Sequence, residues 1–249
     1  MSKQRGVRIE PSGKRVRVYL GGEAVADTTR PTLVWEGPYA PVYYFPVDDV
    51  RLDVLTPDEE TKRSASRGDA TLYTVRVNGV VAPGAALRYE QSPIEELRDL
   101  VRFEWDAMEA WFEEDEEVFS HPRDPYHRVD VLASSRHIRV EVGGVTVAES
   151  SAPRLLFETG FPVRYYLPKT HVRMDLLERT NTSTHCPYKG VAEYWSVRAE
   201  DEVHEDVVWS YRHPLVESQQ VAGYVSFYNE KVDIWVDGVK EERPTTIFA

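Results

Sequence analysis

Arg17-Val18-Tyr19-Leu20-Gly21-Gly22-Glu23-Ala24-Val25-Ala26 returns as Arg139-Val140-Glu141-Val142-Gly143-Gly144-Val145-Thr146-Val147-Ala148, at an offset of 122 residues. The same offset carries Pro31 onto Pro153, Glu36 onto Glu158, Tyr43-Tyr44 onto Tyr165-Tyr166, and Arg51 and Asp53 onto Arg173 and Asp175. Sixteen of the 41 positions from 15 to 55 are identical without a gap. Farther on, Gly68 meets Gly190, Ala70 meets Ala192 and Tyr89 meets Tyr211; a shift of two residues then aligns Phe103 with Phe227 and Trp111 with Trp235. A period this long is beyond solenoid repeats, so each copy is expected to be a domain with its own core. The expected domains are 1–119 and 129–249, joined by a Pro-rich linker, 120–128, containing Pro122 and Pro125.

Each copy reads as strand. Val16 to Leu20 and Ile138 to Val142 alternate or nearly alternate in polarity, and the Gly-Gly pair after them predicts a hairpin with a tight turn. Thr71 to Val77, followed by Asn78-Gly79, predicts another strand and turn. Prolines 31, 38, 41, 46, 153, 162 and 168 limit the neighbouring strands to about four to six residues. Residues 222–228 and 232–238 are expected to form a closing pair of strands. Ile94, Leu97, Val101, Trp105, Met108 and Trp111 are spaced as on a helix, but their counterparts in the second copy read as strand. The repeat therefore predicts strand near Leu100 to Trp105 followed by a short helical turn.

The 249 residues are 41% hydrophobic, enough for buried cores, and carry a formal charge of -12. That balance argues against nucleic acid as a partner. Much of the charge lies in residues 95–117, which hold 11 acids against Arg98 and Arg102. One cysteine, Cys186, excludes an intrachain disulfide and paired-cysteine zinc knuckles. Met1 to Gly6 carry no apolar signal core, and no run approaches the length of a spanning helix, so a soluble, cytoplasmic protein is expected.

The second copy contains Cys186-Pro187-Tyr188-Lys189-Gly190, Trp209-Ser210-Tyr211-Arg212-His213-Pro214 and Gly223-Tyr224-Val225-Ser226-Phe227-Tyr228. With the Gly143-Gly144 hairpin and Tyr166-Leu167-Pro168, these motifs resemble the DUF427 family over nearly all of residues 129–238. The first copy is similar more weakly, and the whole chain looks like a tandem form. The resemblance implies a mainly β fold with little helix: two tandem antiparallel β domains of β-tent (Mss4-like) type, each with two sheets packed across one another. It implies no activity, because the family is one of unknown function. A nucleotidyltransferase label that accompanies the family requires a Gly-Ser turn and paired carboxylates. The nearest cluster, Asp48-Asp49 with Asp53, loses its first two acids to Thr170 and His171 in the second copy.

In the first copy the Cys-Pro-Tyr-Lys-Gly loop becomes Ser64-Ala65-Ser66-Arg67-Gly68, so only a cation and a glycine persist. The candidate ligand-binding residues are accordingly in the second copy: Tyr166, Cys186, Tyr188, Lys189, Trp195, Trp209 and Tyr211. Their rings suit a planar or cationic ligand, Lys189 suits a carboxylate or phosphate, and Trp209 and Tyr211 share a strand face. Cys186 and Glu158 are the catalytic candidates, although His185, adjacent in a strand, points away from Cys186. Cys186 with His185, His204 or His213 has metal-ligand types without a recognisable spacing, so neither a metal nor a cofactor is expected. Arg173 with Asp175, and Arg51 with Asp53, read as structural ion pairs. The leading expectation is a protein that binds an unidentified small molecule in an aromatic-lined pocket of the second domain. Two alternatives stay open: an enzyme using Cys186 or Glu158 with Lys189 as anion holder, and a scaffold whose acidic segment 95–117 meets a basic protein partner. A membrane is not an expected partner, and the oligomeric state is open.

Overall fold

The structure, a computed structural model, describes residues 6–38 and 40–248. Met1 to Arg5, on which part of the expectation about a leader rests, lie outside the described residues. The chain divides into two compact units, Met1–Asp124 and Pro125–Ala249. In the first unit the strands are β1 (Arg8–Pro11), β2 (Val16–Leu20), β3 (Glu23–Thr28), β4 (Thr32–Trp35), β5 (Val42–Pro46), β6 (Leu55–Ser64), β7 (Gly68–Val77), β8 (Val80–Arg88), β9 (Leu100–Phe103), β10 (Ala110–Glu113) and β11 (Glu116–Glu117). In the second they are β12 (Val129–Ala133), β13 (Ile138–Val142), β14 (Val145–Ser150), β15 (Arg154–Glu158), β16 (Arg164–Pro168), β17 (Leu177–Cys186), β18 (Gly190–Ala199), β19 (Glu202–Tyr211), β20 (Tyr224–Phe227), β21 (Asp233–Val236) and β22 (Val239–Lys240). Helix among the described residues is confined to short 3-10 turns, and none is long and apolar enough to cross a membrane.

Each unit has a seven-stranded and a four-stranded sheet, with the same order in both: β1-β4-β5-β9-β8-β7-β6 becomes β12-β15-β16-β20-β19-β18-β17. The smaller sheets run β11-β10-β2-β3 and β14-β13-β21-β22. Neighbouring strands are antiparallel, so the chain is mainly β with tandem antiparallel domains. The expected hairpins form because Gly21 and Gly22 (φ +59° and +77°), like Gly143 and Gly144 (φ +56° and +82°), accept the left-handed conformations of a two-residue turn. Val16, Val18 and Leu20, and their counterparts Ile138, Val140 and Val142, point into a core between the two sheets. In the second unit that core includes Tyr165, Leu167, Trp195, Val197, Val208 and Phe227 from the larger sheet.

The larger sheet is also buried on its other face. There Leu156, Tyr166, Ala192, Tyr194, Trp209 and Tyr211 form a second cluster, matched in the first unit by Val34, Tyr44, Ala70, Leu72, Leu87 and Tyr89. Apolar contact on both faces explains why the central strands show no clean alternation of polarity.

The disputed segment resolves as the repeat predicts: β9 is followed by a 3-10 turn, Trp105–Ala107. Two expectations are corrected. Residues 222–228 and 232–238 do contain strands, but β20 pairs with β16 and β19 while β21 pairs with β13 and β22, so they close different sheets. The match of Trp111 with Trp235 is one residue out of register. Arg17 faces Phe112 as Arg139 faces Trp235, and the guanidinium lies over the ring in both (5.3 and 4.4 Å to the centroid). The connection after β20 is one residue shorter than that after β9, which uncouples the register beyond Phe103 and Phe227. The acidic segment is partly matched within its own unit: Glu104 meets Lys62 and Arg102, Glu113 meets Lys14, and Asp115 meets Arg17.

Candidate functional site

The outer face of the larger sheet in the second unit carries a row that runs strand to strand. Cross-strand registers place Tyr194 beside Trp209, Trp209 beside Ser226, Ser226 beside Tyr166, and Tyr166 beside Arg154. Trp209 Nε1–H donates to Tyr166 Oη at 3.0 Å, with the rings edge to face. Trp209 also leans on Tyr228, ring centroids 4.6 Å apart. Tyr211 lies on this face two residues beyond Trp209, as the strand period requires. Burial pushes the Tyr166 phenol well above its ordinary range, and the nearby Glu158 carboxylate and Cys186 thiol add to the shift. The Tyr211 phenol is raised in the same way by burial, then by Tyr166 and Cys186. Both remain neutral donors at physiological pH.

Two corners of the sheet close over this row. Glu158 ends β15, and Lys189 sits in the turn between β17 and β18. Their side chains, 9% and 12% exposed, form an ion pair. The other Glu158 oxygen accepts from His127 Nε2 at 3.0 Å, and the His127 ring stacks on Tyr188, centroids 4.2 Å apart. In the sheet, β16, β20 and β19 lie between β15 and β18. Four strand spacings in a flat sheet span roughly 19 Å, so the pair forms only because twist curls the sheet and brings diagonal corners together. The turn carrying Lys189 depends on Gly190, whose φ is +96°; a Cβ there would lie 3.3 Å from the His213 carbonyl oxygen. Leu215 N–H donates to the Lys189 carbonyl at 3.2 Å and holds the turn down.

The first unit has the same clasp. Glu36 Oε2 meets Arg67 Nη2 at 3.6 Å, at positions matching Glu158 and Lys189. There, however, the clasp is bonded to the floor: Tyr44 Oη donates to Glu36 at 2.6 Å, Arg67 Nε donates to Tyr89 Oη at 3.2 Å, and Arg102 reaches Glu36 at 3.5 Å. In the second unit no hydrogen bond joins Glu158, Lys189 or His127 to Tyr166, Trp209, Tyr211 or Ser226 among the described residues. Ser226 is fully buried and its Oγ has no partner there.

Of the expected site residues, Tyr166, Cys186, Tyr188, Lys189, Trp209, Tyr211 and Glu158 come together here. Trp195 does not. It faces the core between the sheets, with Lys169 Nζ 5.2 Å from its ring centroid. Cys186 is partly buried and pairs across the hairpin with Gly190. His127, Arg164, Glu230, Tyr194, Tyr228 and Ser226 belong to the site without having been expected. Arg164, where the first copy has Val42, makes a two-pronged pair with buried Glu230 (2.7 Å on each arm) beneath Trp209 and Tyr228. Its signal in the sequence is a charge within an otherwise apolar strand, Val163 to Leu167. Burial raises the Glu230 carboxyl, but bonds from Arg164 and Thr246 outweigh it and hold the group below its ordinary value.

The chain matches the family described as a domain of unknown function (DUF427) over residues 8–114 and again over 130–238. It belongs to the DUF427 family. No curated protein matches it. The DUF427 repeat thus supplies a curled sheet with a carboxylate–cation clasp in both copies. Two of the three carboxylates considered for magnesium are engaged otherwise: Asp49 meets Arg30 and Thr28, and Asp53 meets Arg51. Arg173 and Asp175 form the matching pair at 2.7 Å. No group of three or more His, Cys, Asp or Glu residues among those described is placed to hold a metal. Two surface hollows, of about 430 and 350 Å³, lie elsewhere. The larger runs along the β17 bulge, where the Thr180 and Thr182 hydroxyls are already donated to Asp206 at 2.6 Å.

Proposed function

We propose that the second unit binds a small molecule between the Glu158–Lys189 clasp and the aromatic floor of Tyr166, Trp209 and Tyr211. One observation carries this reading: among the described residues, the hydrogen bonds that tie clasp to floor in the first unit have no equivalents in the second. Buried hydroxyls left without partners cost about 1–3 kcal/mol each. A protein that retains Ser226 Oγ in this condition gains from a ligand that satisfies it. Binding sites of this kind combine apolar walls with a few convergent polar groups. The lone thiol, Cys186, is consistent with a reducing compartment, and we place the protein in the cytoplasm.

The test is a thermal-shift screen of a metabolite library against the full chain, repeated with Trp209→Phe and Glu158→Gln. A compound that raises the melting temperature of wild type and raises that of either variant less supports the site. A library that leaves wild type unmoved, or a hit whose shift in both variants equals that in wild type, overturns it.

A further inference from the structure

The two copies differ at one central position of the face, and the difference points to the chemistry of the ligand. In the first unit Arg102 is the cross-strand neighbour of both Tyr44 and Leu87. In the second unit Ser226 is the neighbour of Tyr166 and Trp209, which stand at the matching positions. Arg102 and Ser226 therefore occupy the same place on the floor. Arg102 shares its guanidinium between Glu104 at 2.7 Å and Glu36 at 3.5 Å, so that the Glu36 carboxylate is met by a tyrosine hydroxyl and two arginines. Among the described residues Glu158 has two partners, His127 and Lys189. A carboxylate offers about four lone-pair sites, so Glu158 retains capacity for a further donor.

We infer that the ligand of the second unit carries a planar cation of the guanidinium or amidinium class, which takes the place that the Arg102 guanidinium fills in the first unit. The inference rests on the small-molecule site proposed above. The surroundings suit such a group. Cations of this shape bind carboxylates in a fork and lie favourably against aromatic faces. Where the first unit has Leu87, the second has Trp209, the best of the aromatic partners for a cation. Of the positive charges near the floor, Arg164 is engaged on both terminal nitrogens by Glu230 and is thereby screened from the incoming group. The first unit, by this reading, holds a built-in occupant and takes no ligand of its own.

Three probes of one shape separate the possibilities: benzamidinium, neutral benzamide and anionic benzoate, each titrated calorimetrically into the full chain. The expected result is benzamidinium binding at least about tenfold tighter than the other two, a difference equivalent to one carboxylate contact. Ser226→Arg, which supplies the side chain of the first unit, is expected to abolish that binding. In case this variant does not fold, Glu158→Gln is expected to weaken benzamidinium by at least about tenfold while changing benzamide little. In the first unit, Arg102→Ser is expected to lower the melting temperature, with methylguanidinium restoring part of the loss and sodium chloride at equal strength restoring none. Benzoate or benzamide binding as tightly as benzamidinium overturns the cationic assignment and leaves the small-molecule site standing. If none of the three binds, the cationic assignment falls, and the thermal-shift screen decides the small-molecule site separately.

Discussion

Glu158, at the end of β15, and Lys189, in the turn before β18, form a nearly buried ion pair across a sheet in which three strands separate β15 from β18. The pair closes the face on which the aromatic row lies, and the first unit repeats it with Glu36 and Arg67. Removing one partner of a buried pair leaves the other charge without compensation, whereas removing both leaves none. Lys189→Met is therefore expected to cost about 3 kcal/mol of stability, and the double variant Glu158→Gln, Lys189→Met to cost less than the sum of the single changes. Urea unfolding of the four proteins measures the cycle. Strictly additive costs would show that the two side chains do not interact.

Gly190 sets the turn that delivers Lys189. Gly190→Ala forces a Cβ into a φ of +96° and to within 3.3 Å of the His213 carbonyl oxygen. Gly144 also has a positive φ, +82°, but a Cβ there meets nothing within 4 Å. The expected cost is about 1–3 kcal/mol at Gly144, from backbone strain alone, and more at Gly190, where the contact adds to it. Equal costs in chemical denaturation would mean that the close approach to His213 is relieved at no expense.

The architecture was legible because it is written in local terms. An offset of 122 residues, glycine pairs suited to left-handed turns and interrupting prolines are properties of neighbouring residues. The clasp is not local. It depends on how far a seven-stranded sheet curls, and no stretch of sequence displays that quantity. His127 stands in the segment read as a linker, so its bond to Glu158 was hidden for the same reason. Trp195 was misplaced because both faces of its sheet are apolar, which removes the polarity signal that assigns a residue to one face. A register shift between Trp195 and Val197 further breaks parity along β18. Trp235 was matched to Trp111 on identity, when the shorter loop in the second copy makes Phe112 its counterpart.

Acid is expected to unfold the second unit partly through Glu230. Its side chain is fully buried against Arg164, and the bonds from Arg164 and Thr246 hold its carboxyl below the ordinary value of 4.5 despite the opposing effect of burial. A carboxylate whose pKa is lower folded than unfolded contributes stability that is present in full above the unfolded pKa. That contribution is lost as pH falls through the folded pKa, because the unfolded chain then binds the proton more readily. Wild type is thus expected to lose stability as pH falls past the ordinary value of 4.5 and on through the lower folded one, with exposed pairs such as Arg173–Asp175 adding a smaller, salt-screened share. Glu230→Gln lacks the titrating group. At neutral pH it is expected to be less stable than wild type by about 3 kcal/mol, because Arg164 is left buried without its counter-charge. Toward acid pH the gap should close, since wild type is then losing the same interaction. Denaturant midpoints of both proteins across this range measure the convergence. A gap that stays constant with pH would place the acid sensitivity in other carboxylates, and a gap that widens would mean that Glu230 is protonated in the folded state at neutral pH.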